Sequence, residues 1–195
     1  MFRLTLGLTN AEVEASANCL FLSLAQQVLV LGMVLSKIVF PITNADHKDK
    51  AFFIRNRDVD YMCSHPQEFE DWLCYGEGFD TYCNHMRKED QMGDELILRA
   101  AVLALQVDIQ VFKLNTETNS ITMYQYAARS SQNKEHSSAS QILREVDAEM
   151  LDVKPGTLNV AHYTYQYDGT VHYNSIERSE AEASNPFSPA VTVYH

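Results

Sequence analysis

The period of the apolar residues changes once along this chain, and that change restricts the folds it can adopt. After residue 19 the apolar positions recur every three or four residues, and "FDTYCNHM" and "GDELILRAAVLALQV" repeat this helical spacing. After residue 107 the pattern alternates, and "DIQVFKL", "SITMYQY", "LNVAHYTYQY" and "TVHYNSI" are typical of strands. Helices in the first half and strands in the second predict an α+β fold.

The four strand-like segments predict two hairpins. The residues "NTETN" between the first two favour a turn, and Asp168-Gly169 between the last two suits the positive φ angles of a tight hairpin turn. The intervening segment 129–140, "RSSQNKEHSSAS", is polar and rich in serine, which predicts a mobile loop.

The region between the first helix and the later helices is less regular. Val28–Phe40 is apolar on several faces, so its pattern fits either a fully buried helix or a helix that runs into a strand. Residues 44–50, "NADHKDK", predict an exposed loop. Ser64 and Gln67 have the spacing of a capping box, which predicts that a new helix begins just after Ser64 and buries Trp72.

The composition fits one globular domain with an acidic surface. The chain has 195 residues, of which 46% are hydrophobic, enough for a single core. Residues 1–177 carry the periodic patterns and are predicted to form this domain, whereas 178–195 have no convincing period and are predicted to be disordered. The formal net charge of -11 argues against nucleic acid as a partner, because binding to phosphates requires clustered lysine and arginine.

The sequence also indicates the cellular compartment of the protein. Its first residues lack the apolar core of a signal peptide, and the most apolar stretch, Val28–Phe40, is interrupted by Ser36 and Lys37 and is shorter than the roughly 20 residues of a membrane span. We therefore expect no membrane association and a cytoplasmic protein, with the nucleus as a second compartment. The four cysteines are then expected to be reduced thiols.

Three residues have the chemistry of a thiol hydrolase. Cys19 stands at the start of the first helix, where the helix dipole and unpaired N–H groups favour a thiolate. His172 and Asn174 alternate along the last strand, so they project from the same face, ~6.6 Å apart along the strand. An amide oxygen can orient an imidazole that acts as a general base. Spacing in the sequence does not show whether Cys19 meets His172.

Four segments, in order, resemble the ovarian tumour (OTU) family of cysteine proteases. "NCLFLSLAQQ" is similar to the family's D-G-N-C-L-F-R-A-L, and "HYNSI" to its H-Y-[ND]-S-[VI]. Between them, "IRNRDVDYMCSHPQEFEDWL" resembles R-x-x-x-x-x-Y-[IM], and "YCNHMRKEDQMGDELILRAAVLALQVDIQVF" resembles the block that contains G-x-x-x-E-L. The resemblance covers about residues 4–177.

This resemblance implies a papain-type fold with a small central sheet flanked by helices, and a deubiquitinase that needs neither cofactor nor metal. It implies that Cys19 attacks the carbonyl at the C-terminal glycine of ubiquitin, His172 transfers the proton, and Asn174 orients His172. The loop before Cys19, formed by Ser16, Ala17 and Asn18, would supply oxyanion-binding N–H groups together with Cys19 itself. The implied partner is ubiquitin or polyubiquitin, or a ubiquitin-like modifier.

Three alternatives stay open. Ser16-Ala17 replaces the family's Asp-Gly, so a domain that binds ubiquitin without cleaving it also fits. His162 has a strand neighbour that could hold an imidazole and is a second candidate base. A structural module with zinc is the third, and its candidate ligands are Cys63, His65, Cys74, Cys83 and His85.

Overall fold

The structure is a computed structural model that describes residues 8–11, 14, 16–30, 46–73, 78–115, 120–128, 139–146, 156–164 and 171–178. The helices are α1 (Cys19–Val30), α2 (His47–Ser64), α3 (Phe79–Met86) and α4 (Glu95–Leu105), with two short 3-10 turns at Pro66–Glu68 and Glu70–Trp72. The strands are β1 (Leu8–Ala11), β2 (Ile109–Asn115), β3 (Ser120–Ala128), β4 (Ala139–Val146), β5 (Leu158–Thr164) and β6 (Val171–Arg178). Within these ranges no helix has the length and apolar character needed to cross a bilayer.

The strands of the described ranges form one mixed sheet of six, in the order β1-β6-β5-β2-β3-β4. β2 runs parallel to β5, and the other neighbours are antiparallel. Both predicted hairpins are confirmed as antiparallel pairs, β2 with β3 and β5 with β6, although the turn at Asp168-Gly169 lies outside the described residues. β4 begins at Ala139, so the predicted loop 129–140 is wrong at its end, and 129–138 lie outside the described residues.

Helices cover the sheet and complete the predicted α+β fold. α1 packs against β5 and β6, α4 packs against β3 and β4, and α2 packs against both α1 and α4. Gly93, just before α4, allows the close approach of α4 to α1, because a Cβ atom there would lie 2.6 Å from Leu20 Cδ2. The start of α4 therefore lies against the first turn of α1, next to Cys19.

Helix α2 corrects two of the sequence expectations. Asp46 caps its start by accepting a hydrogen bond from the Asp49 N–H at 2.8 Å, so most of the predicted loop 44–50 is helical. Ser64 ends this helix and donates to the Asp60 carbonyl oxygen at 2.7 Å, so the predicted capping box is wrong. Trp72 is 55% exposed and does not belong to a buried stripe.

The apolar pattern of α2 is hidden because its buried face carries charged residues. That face comprises Ala51, Ile54, Arg55, Asp58, Val59 and Met62. The spacing is helical, but two of the six positions are ionisable, so a search for apolar residues at that spacing does not detect the helix. The expectations for residues 31–45 lie outside the described residues, as does the predicted tail apart from Arg178, which ends β6.

Asp58 is a buried carboxyl group whose two oxygens have no hydrogen-bond partner within the described part of the chain. Burial raises its pKa well above the usual range, despite the opposing charges of Arg57 and Arg55. The folded state therefore binds a proton that the unfolded state releases above about pH 4. The stability of the parent should therefore fall as the pH rises above about 4.

We expect the Asp58→Asn variant to lose this dependence, because an amide keeps the shape without the charge. Its gain in free energy of unfolding over the parent should be larger at pH 8 than at pH 5, as measured by urea unfolding. Asp71→Asn, at an exposed position, is the control and should change little at either pH. An equal effect of Asp58→Asn at both pH values would mean that Asp58 is ionised in the folded protein.

Candidate active site

Cys19 is the first residue of α1 and is 1% exposed. Its backbone N–H donates to the Ser16 carbonyl oxygen at 3.0 Å, which closes a tight turn ahead of the helix. The helix continues because Leu20, Leu24 and Val28 lie four residues apart and are buried in the core. The predicted helix is confirmed, and core packing fixes the thiol at its start.

Polar side chains on one face of α1 join this helix to β6. Ser23 and Gln27 follow Cys19 at four-residue intervals and so lie on the same face. Cys19 Sγ accepts a hydrogen bond from the backbone N–H of Tyr173 at 3.4 Å, and Ser23 Oγ donates to the Tyr173 carbonyl oxygen at 3.1 Å. Gln27 Nε2 donates to Ser175 Oγ at 2.7 Å. These bonds hold the start of α1 against the middle of β6.

Gln27 and Ser23 are site residues that sequence reasoning missed. Gln27 is 2% exposed, and its Oε1 also accepts from the Asn159 N–H of β5 at 3.0 Å, so it ties α1 to two strands. A signal was available, because both are polar residues, four positions apart, in a helix whose other positions are almost all apolar. A buried polar side chain needs partners, and here those partners are the strands that carry the site.

His172 and Asn174 are joined as the strand alternation predicts. The distance between His172 Nε2 and Asn174 Oδ1 is 2.8 Å, and both side chains are buried. Because an amide oxygen only accepts, the imidazole donates through Nε2 in this hydrogen bond, and Nδ1 is the nitrogen turned to other partners. This is the arrangement that a general base needs.

The fold brings this pair to the start of α1. Tyr173 lies between His172 and Asn174 in β6, and its backbone N–H donates to Cys19 Sγ. The thiol sulfur therefore touches the main chain of the strand at the one residue that separates the imidazole from its orienting amide. Residues 154 positions apart in the sequence are in contact here.

The environment of the Cys19 thiol opposes loss of its proton. Burial raises the pKa of Cys19 above its ordinary value, and the backbone N–H groups of Tyr173, Leu20 and Cys19 lower it by less. The N–H groups at the helix start therefore favour a thiolate as expected, but burial of the sulfur outweighs them. Loss of the proton requires a base beside it.

The loop 16–18 is folded onto itself. The Ser16 carbonyl oxygen accepts from the Cys19 N–H, and Ser16 Oγ accepts from the Asn18 N–H at 3.3 Å. Two of the N–H groups that the family resemblance assigns to an oxyanion hole are thus already bonded. Of the described non-glycine residues only Gln106 has a positive φ, so Ala17 holds an ordinary backbone conformation.

Arg55 on α2 holds this loop against the segment that follows α3. Its Nη2 and Nε donate to Asn18 Oδ1 at 2.7 and 3.2 Å, and Nη2 also donates to the Ala17 carbonyl oxygen at 3.4 Å. The same guanidinium donates to the carbonyl oxygens of Met86 and Gln91, at 2.8 and 2.7 Å. One planar group therefore positions the residues directly before Cys19.

The environment of Arg55 suits a permanent structural cation. The side chain is fully buried, and its guanidinium carbon lies 4.0 Å from the centroid of the Phe21 ring. Burial lowers the pKa of Arg55 to about 10, so it remains charged at neutral pH. Arg55 lies in one of the four segments that resemble the OTU family, but no sequence pattern indicated the hydrogen-bond partners of its side chain.

His162, the second candidate base, has different surroundings. It is paired with Tyr173 across β5 and β6, and the two ring centroids are 4.9 Å apart. Burial, followed by the charge of Lys113, lowers the pKa of His162 to about 4. The imidazole is therefore a neutral member of an aromatic pair.

The candidate zinc ligands do not meet as a set. Within the described ranges no group of three or more His, Cys, Asp or Glu side chains is arranged to hold a metal ion. His65 Nδ1 instead lies 2.9 Å from the Tyr61 carbonyl oxygen, and its ring stacks on Tyr61. Cys74 lies outside the described residues.

A buried thiol at a helix start, beside a strand in which an asparagine is hydrogen-bonded to a histidine, is the arrangement typical of the papain-like class of thiol hydrolases. The family model for OTU-like cysteine proteases matches residues 14–148 of this chain. The chain belongs to the OTU family of cysteine proteases. The match includes Cys19 and ends before His172, so the roles of His172 and Asn174 depend on the geometry.

Individual known proteins also support the assignment to this family. The chain is 28% identical over 118 residues to ubiquitin thioesterase otu2 of Schizosaccharomyces pombe, a match that covers 57% of this chain and 34% of that protein. The chain thus spans about a third of this relative. An OTU deubiquitinase from Wolbachia pipientis wMel bound to ubiquitin aligns with a TM-score of 0.57 at 14% identity, covering 88% of this chain and 97% of that one. The Hazara virus OTU bound to ubiquitin aligns with a TM-score of 0.51 at 13% identity, covering 87% of this chain and 80% of that one.

Proposed function

We propose that this protein is a thiol-dependent deubiquitinase that hydrolyses isopeptide or peptide bonds after the C-terminal glycine of ubiquitin. The observation that carries the proposal is the hydrogen bond from the Tyr173 N–H to Cys19 Sγ, at the residue between His172 and Asn174. The names of the relatives support ubiquitin as the modifier. The acidic surface is compatible with the basic C-terminal tail of ubiquitin.

In this mechanism the proton of Cys19 moves to His172 Nδ1 as the sulfur attacks the glycine carbonyl carbon. The carbonyl π bond opens to an oxyanion, which re-forms the carbonyl as the C–N bond breaks. The imidazolium gives its proton to the leaving lysine amine. Water then attacks the thioester with His172 as base, which releases the carboxylate and restores the thiol. Asn174 keeps the imidazole in the reactive tautomer throughout.

The test is the intact mass of the full chain after incubation with ubiquitin that carries a thiol-reactive group at its C-terminus. We expect one ubiquitin per chain, and none with Cys19→Ala. Cys63→Ala is the matched control, because Cys63 is an exposed thiol outside the site, and it should react as the parent does. An adduct that persists in Cys19→Ala would overturn the assignment of the nucleophile.

A second candidate function, binding of ubiquitin without cleavage, is favoured by the loop 16–18. Its Asn18 and Cys19 N–H groups are bonded to Ser16 rather than available to an oxyanion. Loss of one such donor lowers kcat by about 10² to 10³ in other enzymes. Binding of ubiquitin by Cys19→Ala, together with no cleavage by the parent, would support this function.

The Ala17→Gly variant separates the two candidates. Glycine reaches backbone conformations with positive φ that alanine does not, which would allow the turn to open and release the Cys19 N–H. We expect kcat on a ubiquitin substrate to rise about tenfold, with little change in KM.

Ala127→Gly, in β3, controls for a general effect of glycine and should leave kcat unchanged. If Ala17→Gly and the parent had equal and substantial kcat, the loop would open without help, and the non-cleaving candidate would lose its support.

A further inference from the structure

Cys63 and Cys83 bring two thiols together outside the candidate active site. Cys63, in the last turn of α2, is exposed, whereas Cys83 in α3 is 3% exposed. The two thiols are close enough for Cys63 to raise the pKa of Cys83, and Arg87, one helical turn after Cys83, contacts Cys63. Both are free thiols, and neither takes part in the chemistry proposed for Cys19.

Arg87, just after α3, fixes the two helices around this pair. Its backbone N–H donates to the Cys83 carbonyl oxygen at 3.2 Å, and its Nη2 forms an ion pair with Asp60 Oδ1 of α2 at 2.6 Å. The same Nη2 donates to Cys63 Sγ at 3.8 Å. The sulfur that solvent reaches therefore has a cationic hydrogen-bond donor beside it, and Cys83 lies one helical turn before that donor.

We propose that Cys63 and Cys83 are a redox-active dithiol, which hydrogen peroxide converts into a disulfide between α2 and α3. The proposal goes beyond the deubiquitinase function and does not depend on it.

The two sulfurs have different roles in this reaction. Burial, and then the neighbouring Cys63 thiol, raise the pKa of Cys83 to about 12. Cys63 is the exposed sulfur of the two, so it reacts with peroxide first. The Cys63 thiol loses its proton, its sulfur attacks one peroxide oxygen, and the O–O bond breaks. Cys63 becomes a sulfenic acid, and the leaving hydroxide takes up a proton and departs as water. The Cys83 sulfur then attacks the Cys63 sulfur, the S–O bond breaks, and the proton of Cys83 leaves with hydroxide as a second water. Two thiols lose two electrons and one peroxide gains them.

The disulfide would form close to the contact between Arg55 and α3. Met86 follows Cys83 by three residues, and its carbonyl oxygen accepts from Arg55 Nη1 at 2.8 Å. Any shift of α3 towards Cys63 would therefore be transmitted to the group that holds the loop 16–18. Oxidation at this pair would act on the active site without modifying Cys19.

The experiment uses the full chain with Cys19→Ala, so that the active-site sulfur cannot react. Three cysteines of the four in the sequence then remain, namely Cys63, Cys74 and Cys83. The protein is treated with hydrogen peroxide, quenched, unfolded and alkylated, and its intact mass is measured with and without dithiothreitol. We expect all three thiols to be alkylated before peroxide and Cys74 alone afterwards, with full recovery on reduction. Non-reducing peptide mapping should identify the Cys63–Cys83 link.

Matched variants decide the assignment. Cys74→Ser should still form the disulfide, whereas Cys63→Ser, at an exposed position that leaves the core intact, should not. Cys83→Ala should stop at a Cys63 sulfenic acid, seen as the gain of one oxygen atom and trapped by dimedone. Retention of all three free thiols after peroxide, a bond to Cys74, or a link between two chains would each overturn the proposal.

Discussion

Replacement of His172 by alanine is expected to lower kcat/KM on a ubiquitin substrate by about 10³-fold. Burial raises the pKa of the Cys19 thiol, so catalysis requires a base to take the proton during attack. His172 is the imidazole whose Nε2 is held by Asn174, so Nδ1 is the nitrogen that takes the proton in the proposed mechanism. Without it, the buried sulfur remains a thiol, and water is a poor substitute.

His162→Ala is the matched control, because it removes a second imidazole from the strand beside His172. It should keep kcat/KM within a few-fold of the parent, since His162 packs on Tyr173 rather than on an orienting amide. The kcat/KM of Asn174→Ala should lie between those of the two variants, because the base is still present but less well oriented. A loss in His162→Ala equal to that in His172→Ala would mean that His162 is the base. Melting temperatures within a few degrees of the parent would exclude unfolding as the cause.

Much of this site was predictable because the helix and strands that form it have regular patterns of apolar residues in the sequence. The helix after Cys19 shows its apolar stripe without interruption, and the last two strands alternate clearly. Alternation alone placed His172 and Asn174 on one face, and their hydrogen bond follows from that geometry. α3 and α4 were also predicted, since their buried positions are almost all apolar.

The remaining features depend on partners that are distant in sequence. α2 was missed because Arg55 and Asp58 occupy its buried face, and the burial of Arg55 is explained only by its contacts with Asn18 and Met86. β1 is a four-residue strand that exists by pairing with β6, which lies at the other end of the domain. The internal bonds of the loop 16–18 likewise have no pattern in the sequence. Contacts of this kind arise from the packed fold.

Arg55→Lys is expected to have the second large effect, on both stability and turnover. The guanidinium donates at once to Asn18 Oδ1 and to the carbonyl oxygens of Met86 and Gln91, which a lysine ammonium cannot reach together. Each buried acceptor left unpaired costs about 1–3 kcal/mol. We expect the free energy of unfolding to fall by about 3 kcal/mol, and kcat to fall about 10²-fold because the loop before Cys19 is no longer held.

The two effects are separable by measurement at a temperature where the variant is fully folded by circular dichroism. A positioning role predicts that kcat falls while KM changes little, because the loop acts on the transition state rather than on ubiquitin binding. Arg57→Lys is the matched control, since Arg57 lies on the same helix but donates to the Ala104 carbonyl oxygen of α4 at 3.0 Å. It should lose some stability and keep kcat. If Arg55→Lys also kept its kcat when folded, Arg55 would serve the core alone, and the loop would owe its conformation to the bonds of Ser16.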